Sequence, residues 1–254
     1  MIVGFEKDTE LKLQTGVKYI FRDVSITDDN KLLLTNHSSS DPKLYVYKDR
    51  EDYETEITFS AAPFGVAVIP GTDRAIVTLP DENSIQFINT TQVTQSDKVN
   101  VGLRCFGITA GHDRIYIGGK DGIIKTLNIN GTILKSMQPG SEHIYFMLYD
   151  DIHDQLIVRY NNKVLCVNSD GTPVYSKDVS GVAGVTRDRQ GNIYFGGYIT
   201  SNIQRLSSDW ENCEEILNKD DGINVPYGMC FTNDFTKLFV INNNFKSVYV
   251  YKCK

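Results

Sequence analysis

Four histidines are the side chains of this chain best suited to metal binding or to acid–base chemistry. They are His37, His112, His143 and His153. In the ring of small sheets that the repeat described below predicts, His37 and His143 fall on one face and the other two on the opposite face. The histidine ligands of one zinc ion must all lie about 2.0–2.1 Å from it. The sequence therefore does not predict a three-histidine metal site, and we expect no metal and no cofactor.

Carboxylates and thiols are the other candidates for chemistry. The adjacent acidic pairs fall in predicted turns, where an aspartate bonds its own backbone, and they lack the spaced oxygen ligands of a calcium loop. They are Asp28-Asp29, Asp81-Glu82, Asp150-Asp151 and Asp220-Asp221. The five cysteines are scattered and never in Cys-x-x-Cys spacing, which indicates free thiols in a reducing compartment. Cys166 and Cys230 fall on strand positions that we expect to be buried. No common catalytic motif is present, so the sequence predicts a protein that is not an enzyme.

A repeat along the whole chain determines where these side chains lie. One position, which we call the axial column, is glycine in four of six copies and is followed in every copy by an apolar residue. Its residues are Asp23, Gly65, Gly107, Phe146, Gly184 and Gly228. Glycine inside a strand often marks a point where another backbone approaches closely. We therefore expect neighbouring repeats to touch at the axial column.

Further strands follow each copy of the column at similar spacing. The second strands begin at residues 32, 75, 115, 156, 193 and 238, so successive starts lie 37 to 45 residues apart. A repeat of roughly 40–45 residues with four strands is typical of a propeller blade. Third strands follow with apolar residues in alternation. Asn130-Gly131 and Asp170-Gly171 predict hairpins into fourth strands, with both turn residues at positive φ.

The sixth copy ends after three strands, and the missing strand is predicted at the other end of the chain. The segment from Asp8 to Leu13 resembles the turn and fourth strand of other copies. Pairing of the two ends would close the ring and remove its open edge. The sequence thus predicts an all-β, six-bladed β-propeller with four antiparallel strands per blade, in one domain of residues 1–254. Residues 1–14 form the outer strand of the last blade, and the blades lie at about 20–59, 63–101, 104–138, 144–179, 182–217 and 226–254.

The charge and hydropathy of the chain exclude some classes of partner. The formal net charge is −6 and the pI is about 5.3, which disfavours a general attraction to polyanions. No apolar run approaches the roughly 20 residues of a membrane span, and the first residues lack the features of a signal peptide. We therefore expect a cytoplasmic protein that makes no membrane contact and is monomeric as an isolated domain.

Two openings of the repeat resemble a known family. Pro63-Phe64-Gly65-Val66 and Pro226-Tyr227-Gly228-Met229 are similar to the start of the NHL repeat, and the segment from Gly191 to Leu206 is similar to its later strands. The resemblance covers the entire chain and is greatest to the C-terminal NHL domains of tripartite-motif and B-box proteins. It implies a recognition domain whose loops bind proteins and, in some members, RNA. The chain carries none of the RING, B-box or coiled-coil modules that precede such domains.

One face of the predicted ring offers the best candidate site. Each blade sends two loops there, one before its first strand and one between its second and third strands; we call this side the loop face. Aromatic and arginine side chains, the types enriched at interface hot spots, gather on its loops. An aromatic residue directly before the axial column, such as Tyr227, also suits packing between blades. The predicted partner-binding residues are Arg22, Asp23, Arg104, His143, Tyr145, Arg159, Tyr198, Tyr227 and Phe245.

Two other functions remain open beside binding of a protein or peptide. An RNA-binding domain should carry a basic stripe, whereas the loop face has seven basic and eight acidic residues. The basic ones are Arg22, Lys43, Arg104, Lys120, Arg159, Lys163 and Lys246, and the acidic ones are Asp23, Asp41, Asp81, Glu82, Asp121, Glu142, Asp220 and Asp221. A metal-dependent lactonase-like hydrolase is the third possibility, and for it the axial column offers one carboxylate, Asp23.

Overall fold

The computed structural model describes residues 2–13, 18–48, 52–160, 162–179 and 181–254. Within these residues the strands form six antiparallel sheets of four strands each. The first strands of neighbouring sheets contact one another in an unbroken cycle, so the sheets form a ring. The predicted six-bladed β-propeller is confirmed.

The strands of the first three blades run outward from the ring axis in chain order. Blade 1 consists of β2 (Phe21–Ile26), β3 (Leu32–Ser38), β4 (Asp41–Lys48) and β5 (Asp52–Thr58). Blade 2 consists of β6 (Val66–Val68), β7 (Arg74–Leu79), β8 (Ser84–Asn89) and β9 (Thr94–Asn100). Blade 3 consists of β10 (Cys105–Ala110), β11 (Arg114–Gly119), β12 (Ile124–Asn128) and β13 (Ile133–Met137).

The other three blades complete the ring, and the last one takes its outer strand from the start of the chain. Blade 4 consists of β14 (Met147–Asp150), β15 (Gln155–Tyr160), β16 (Lys163–Asn168) and β17 (Pro173–Asp178). Blade 5 consists of β18 (Val182–Arg187), β19 (Ile193–Gly197), β20 (Asn202–Leu206) and β21 (Cys213–Leu217). Blade 6 consists of β22 (Met229–Phe231), β23 (Lys237–Asn242), β24 (Ser247–Cys253) and β1 (Phe5–Glu10).

Short 3-10 turns are the only helical elements in the described part of the chain. They span Pro80–Glu82, Lys120–Gly122 and Lys219–Asp221. No helix among the described residues is long and apolar enough to cross a membrane.

Buried side chains lie between the blades rather than in one central core. Six apolar clusters are present, and each joins the facing sheets of two neighbouring blades. Leu33 of blade 1 packs with Val77 of blade 2, for example, and Phe239 of blade 6 packs with Tyr45 of blade 1. Because every blade is buried on both faces, its inner strands read as nearly continuous apolar runs.

The glycines of the axial column lie where neighbouring blades approach most closely. A Cβ atom on Gly65 would lie 2.5 Å from the Phe106 carbonyl oxygen, and one on Gly184 would lie 2.4 Å from that of Tyr227. On Gly228 it would lie 2.7 Å from the Arg22 carbonyl oxygen. Contacts this short do not occur with real side chains, so these positions require glycine, as the sequence predicts.

Closure of the ring is confirmed, but the closing strand lies earlier in the chain than predicted. It is Phe5–Glu10, not the segment after Asp8. Asp8 forms a β-bulge instead of a turn, and its carboxylate pairs with Lys252 at 2.8 Å and with Lys237 at 3.3 Å. Leu11, which we expect in the strand, lies just beyond it; its N–H still donates to the Val248 carbonyl oxygen at 2.9 Å, and its side chain is buried between blades 6 and 1. Of the predicted span of residues 1–14, the first and last lie outside the described residues.

The two predicted hairpins are present, but their turns differ from the expected type. Only the glycines are left-handed, with φ of +85° at Gly131 and +96° at Gly171, whereas Asn130 and Asp170 are not. In both cases the ladder shifts by one residue directly after the turn. A tight turn followed by one left-handed residue and a bulge needs only that single glycine.

Candidate functional site

Six residues surround the loop-face opening of the central channel. Each immediately precedes the axial column in its blade, and we call them the mouth ring; they are Arg22, Phe64, Phe106, Tyr145, Ala183 and Tyr227. The rings of Phe64 and Phe106 lie 5.4 Å apart between centroids, and those of Phe106 and Tyr145 lie 5.0 Å apart. Phe64 and Phe106 are buried, so aromatic packing closes this side of the opening.

Blade 5 breaks the mouth ring, because Ala183 occupies the position that carries an aromatic ring in four other blades. A cavity of about 180 Å³ lies there, which we call the cup. Its walls are Arg22, Tyr145, Phe146, Arg159, Val182, Ala183, Tyr198, Tyr227 and Phe245. The Tyr227 and Phe245 rings meet edge to face at 4.6 Å, and Tyr198 stacks on Phe245 at 6.1 Å.

Two arginines line the cup without a partner for their charge. The Arg22 guanidinium lies 4.3 Å from the Phe245 ring centroid and 5.2 Å from that of Tyr227, and Arg159 lies 5.6 Å from that of Tyr145. Their Nε atoms are buried and make no hydrogen bond. Within the described chain, neither arginine forms an ion pair with a carboxylate. Burial lowers the pKa of Arg159, opposed by the nearby Tyr227, Tyr145 and Glu142.

A strained loop holds the ring of Phe245 over Arg22. Asn243, Asn244 and Phe245 have φ of +51°, +55° and +73°, all in the left-handed region. An aromatic residue rarely adopts this conformation, which costs of order 1–3 kcal/mol and is common at functional sites. The Phe245 carbonyl oxygen accepts a hydrogen bond from the Phe21 N–H at 2.9 Å, which fixes the loop to blade 1.

Below the cup the channel holds a cavity of about 160 Å³ with one carboxylate, Asp23. Its two oxygens accept hydrogen bonds from the N–H groups of Val24 and Val66, each at 3.0 Å. Burial raises the pKa of Asp23 to about 7, although both hydrogen bonds oppose the rise. Cys230, which we expected to be buried, is instead partly exposed and lines this channel. Its strand, β22, is the innermost strand of blade 6 and therefore borders the channel.

The structure brings six of the predicted partner-binding residues around the cup. They are Arg22, Tyr145, Arg159, Tyr198, Tyr227 and Phe245. Asp23 lies below them in the channel. Arg104 and His143 lie outside the cup, where both pack against Phe106.

Several other loop-face cations differ from the two arginines of the cup, because a carboxylate neutralises them. Arg104 pairs with Asp81 at 2.7 Å, and Lys43 pairs with Asp41 at 2.9 Å and with Glu56 at 2.6 Å. The described residues contain no group of three or more histidine, cysteine or acidic side chains that could hold a metal ion. Among the described arginines of this face, Arg22 and Arg159 therefore lack an ion-pair partner, whereas Arg104 has one.

Three cup residues were missed by the sequence argument. Phe146, Val182 and Ala183 line the cavity; Phe146 stands in the axial column rather than before it, and the other two are aliphatic. A comparison of the residue before the axial column across the six copies would have found Ala183, because it is the only small residue there.

Comparison with known proteins identifies the fold and no family. No model of a known protein family matches the chain, and no curated protein sequence is similar to it. The similarity to NHL repeats therefore stays a prediction. Among solved structures, a streptogramin B lyase has a TM-score of 0.71 at 13% identity, with 98% of each chain covered. A catalytically inactive histidine-to-alanine variant of virginiamycin B lyase from Staphylococcus aureus, solved with quinupristin, has a TM-score of 0.70 at 15% identity. The alignment covers 98% of this chain and 100% of the lyase chain.

Another similar structure is a Bacteroides thetaiotaomicron protein of unknown function, with a TM-score of 0.77 at 10% identity. The alignment covers 100% of this chain and 75% of the Bacteroides protein. Identities this low show the shared six-bladed fold alone. Because the fold includes enzymes such as the lyases, it does not decide whether this chain is one.

Proposed function

We propose that this protein is an interaction module that binds a protein or peptide partner through its loop face, with the cup at the centre of the site. The observation that carries this proposal is a pair of half-buried arginines without an ion-pair partner among the described residues, in a cavity walled by aromatic rings. Such a desolvated pocket of aromatic and arginine side chains has the composition of an interface hot spot. The NHL-like repeats would make it the substrate-recognition surface of a tripartite-motif-like protein.

The size of the cup supports a macromolecular partner over a free small molecule. Sites for drug-sized ligands usually enclose about 300–1,000 Å³, and the cup encloses about 180 Å³. A cavity of this size suits one anchoring side chain of a larger partner. On its rim, Tyr198 is 39% exposed and Ile199 is 76% exposed, which leaves apolar surface for the residues beside the anchor.

RNA binding and catalysis are less well supported by the same surface. Non-specific binding to nucleic acid rests on several phosphate contacts, and ion pairs neutralise Arg104 and Lys43. A lyase-like reaction would need catalytic groups beside the substrate. His143 lies outside the cup, and the channel carboxylate of Asp23 accepts two backbone hydrogen bonds.

Peptide display tests the proposal directly. A library of random seven-residue peptides is selected against the immobilised protein, and the affinities of enriched peptides are measured by fluorescence anisotropy. We expect the Tyr198→Ala variant to lose at least tenfold in affinity, because truncation of an aromatic hot-spot residue costs about 2 kcal/mol or more.

A matched variant on the other side of the ring controls for general damage. Arg189 lies on the opposite face, in the turn between β18 and β19, 5.5 Å from the Phe235 ring centroid. Arg189→Ala removes a side chain that contacts an aromatic ring on that face and should leave affinity unchanged. Peptides that bind the Tyr198→Ala variant as tightly as the wild type would place the site elsewhere.

A further inference from the structure

The cup holds hydrogen-bond donors that the chain itself does not use. A guanidinium has five N–H donors in one plane. The Phe245 and Tyr227 rings lie near the Arg22 guanidinium, and Tyr145 lies near that of Arg159. Such ring contacts stabilise the cation without accepting its in-plane N–H groups. The two Nε–H groups are buried and have no acceptor in the described part of the chain, which is costly for a charged group. An anion that reaches the accessible part of either guanidinium would balance its charge.

No carboxylate among the described residues meets this need. The Asp23 carboxylate lies in the channel and is occupied by the Val24 and Val66 N–H groups. Glu142 is near enough to raise the pKa of Arg159 slightly, but the two side chains form no ion pair. The remaining walls of the cup are aromatic rings and aliphatic side chains. The Tyr227 hydroxyl is within reach of Arg22, but burial raises its pKa, so it stays neutral and does not balance the positive charge.

From these contacts, and resting on the proposed function, we infer that the cup binds an oxyanion on an acidic peptide, held between Arg22 and Arg159. The oxyanion is a carboxylate or a phosphate, both of which match the planar fork of an arginine. Ion pairs neutralise the loop-face cations Lys43 and Arg104, which favours a single anion over a polyanion, and hence an acidic peptide over RNA.

The first test changes the peptide and leaves the protein intact. An enriched seven-residue peptide is synthesised with an acetylated N-terminus and an amidated C-terminus, and its glutamate or aspartate is replaced by the corresponding amide. We expect affinity to fall between tenfold and a hundredfold, as for loss of a charge-assisted hydrogen bond. A phosphoserine at the same position, or a free C-terminal carboxylate, identifies the source of the oxyanion if it restores or exceeds the affinity.

The second test locates the anion by coupling. Arg159→Gln and Arg22→Gln should each weaken the acidic peptide at least tenfold and weaken its amide counterpart by less than threefold, because residues that interact do not contribute additively. Arg159→Lys keeps the charge but loses the fork, and an intermediate affinity is expected. Arg189→Gln is the matched control and should bind both peptides as the wild type does.

Two results would overturn the inference, and they differ from failure of the proposed function. Enriched peptides that are neutral, yet still depend on Tyr198, would retain the loop-face site and eliminate the anion. Displacement of the acidic peptide by single-stranded oligouridine, with a steep salt dependence, would assign the arginines to RNA. If no peptide is enriched at all, both the proposed function and the inference fail.

Discussion

The carboxylate in the channel makes a prediction whose size follows from the structure. Asp23 has a pKa raised from 3.8 to about 7 by burial. The folded protein therefore keeps this proton at pH values where the unfolded chain has lost it. Folding takes up a proton across that range, so the contribution of Asp23 to the free energy of unfolding falls as the pH rises from about 4 to about 7.

The full loss amounts to about 4 kcal/mol, since each pKa unit corresponds to about 1.4 kcal/mol. This is an upper value, because Asp23 keeps some accessible surface on the channel and water there favours the charged form. Asp23→Asn removes the titration. The amide oxygen accepts one backbone N–H and leaves the other unpaired, at a cost of about 1 kcal/mol that does not change with pH.

The assay is urea unfolding of wild type and Asp23→Asn at a series of pH values between about 4 and 8. The variant should be less stable at the acidic end and more stable at the alkaline end. Comparing the two proteins at each pH cancels the titration of all other groups, including the carboxylates whose pKa is lowered by ion pairs, such as Glu82. Parallel stability curves across the whole range would show that burial does not raise the pKa of Asp23 in the folded protein.

Three further predictions concern the ring and the cup. Gly184→Ala should lower the free energy of unfolding by at least about 2 kcal/mol, because its Cβ would lie 2.4 Å from the Tyr227 carbonyl oxygen. Gly4→Ala, with nothing within 4 Å of the new Cβ, should change it by less than about 0.5 kcal/mol. Deletion of residues 1–11 removes the outer strand of blade 6 and two buried aliphatic side chains; in urea unfolding this should cost at least about 3 kcal/mol. Phe245→Gly relieves a left-handed φ of +73°, so its stability should stay within about 1 kcal/mol while binding of the selected peptides falls at least tenfold.

Each of these predictions has a result that contradicts it. Equal stability of the two alanine variants would mean that the axial column is not crowded. Unchanged unfolding after the deletion would mean that the first strand does not close the ring. A Phe245→Gly variant that binds normally would separate the strained loop from the site.

Much of the fold could be predicted because the repeat is written into short local patterns. A glycine of the axial column followed by an apolar residue recurs in four of the six blades, where the backbone of the neighbouring blade leaves little or no room for a side chain. The position of the first strand could not be predicted well because five of its six residues, Phe5–Glu10, are polar or charged and its backbone ladder joins it to the other end of the chain. Such pairing between the ends of the chain leaves no local signal.

The site could be predicted in its residue types but not in its geometry. Arg22 and Arg159 belong to blades 1 and 4, and only closure of the ring shows that they line one cavity without partners. Arg104 is also an arginine on a loop of this face, but it lies outside the cup and Asp81 neutralises its charge. The difference depends on which loops hold a nearby carboxylate, and the sequence around each arginine does not reveal it.

Filling the cup with a side chain tests most sharply whether it is the binding site. Ala183→Tyr gives blade 5 the residue that Tyr145 and Tyr227 already provide at the same position of blades 4 and 6. The ring should therefore still form, which circular dichroism and urea unfolding will check. Titration of the variant with a selected acidic peptide should show a loss of at least tenfold in affinity. A folded variant that binds the peptide as tightly as the wild type would contradict the claim that the cup is the binding site.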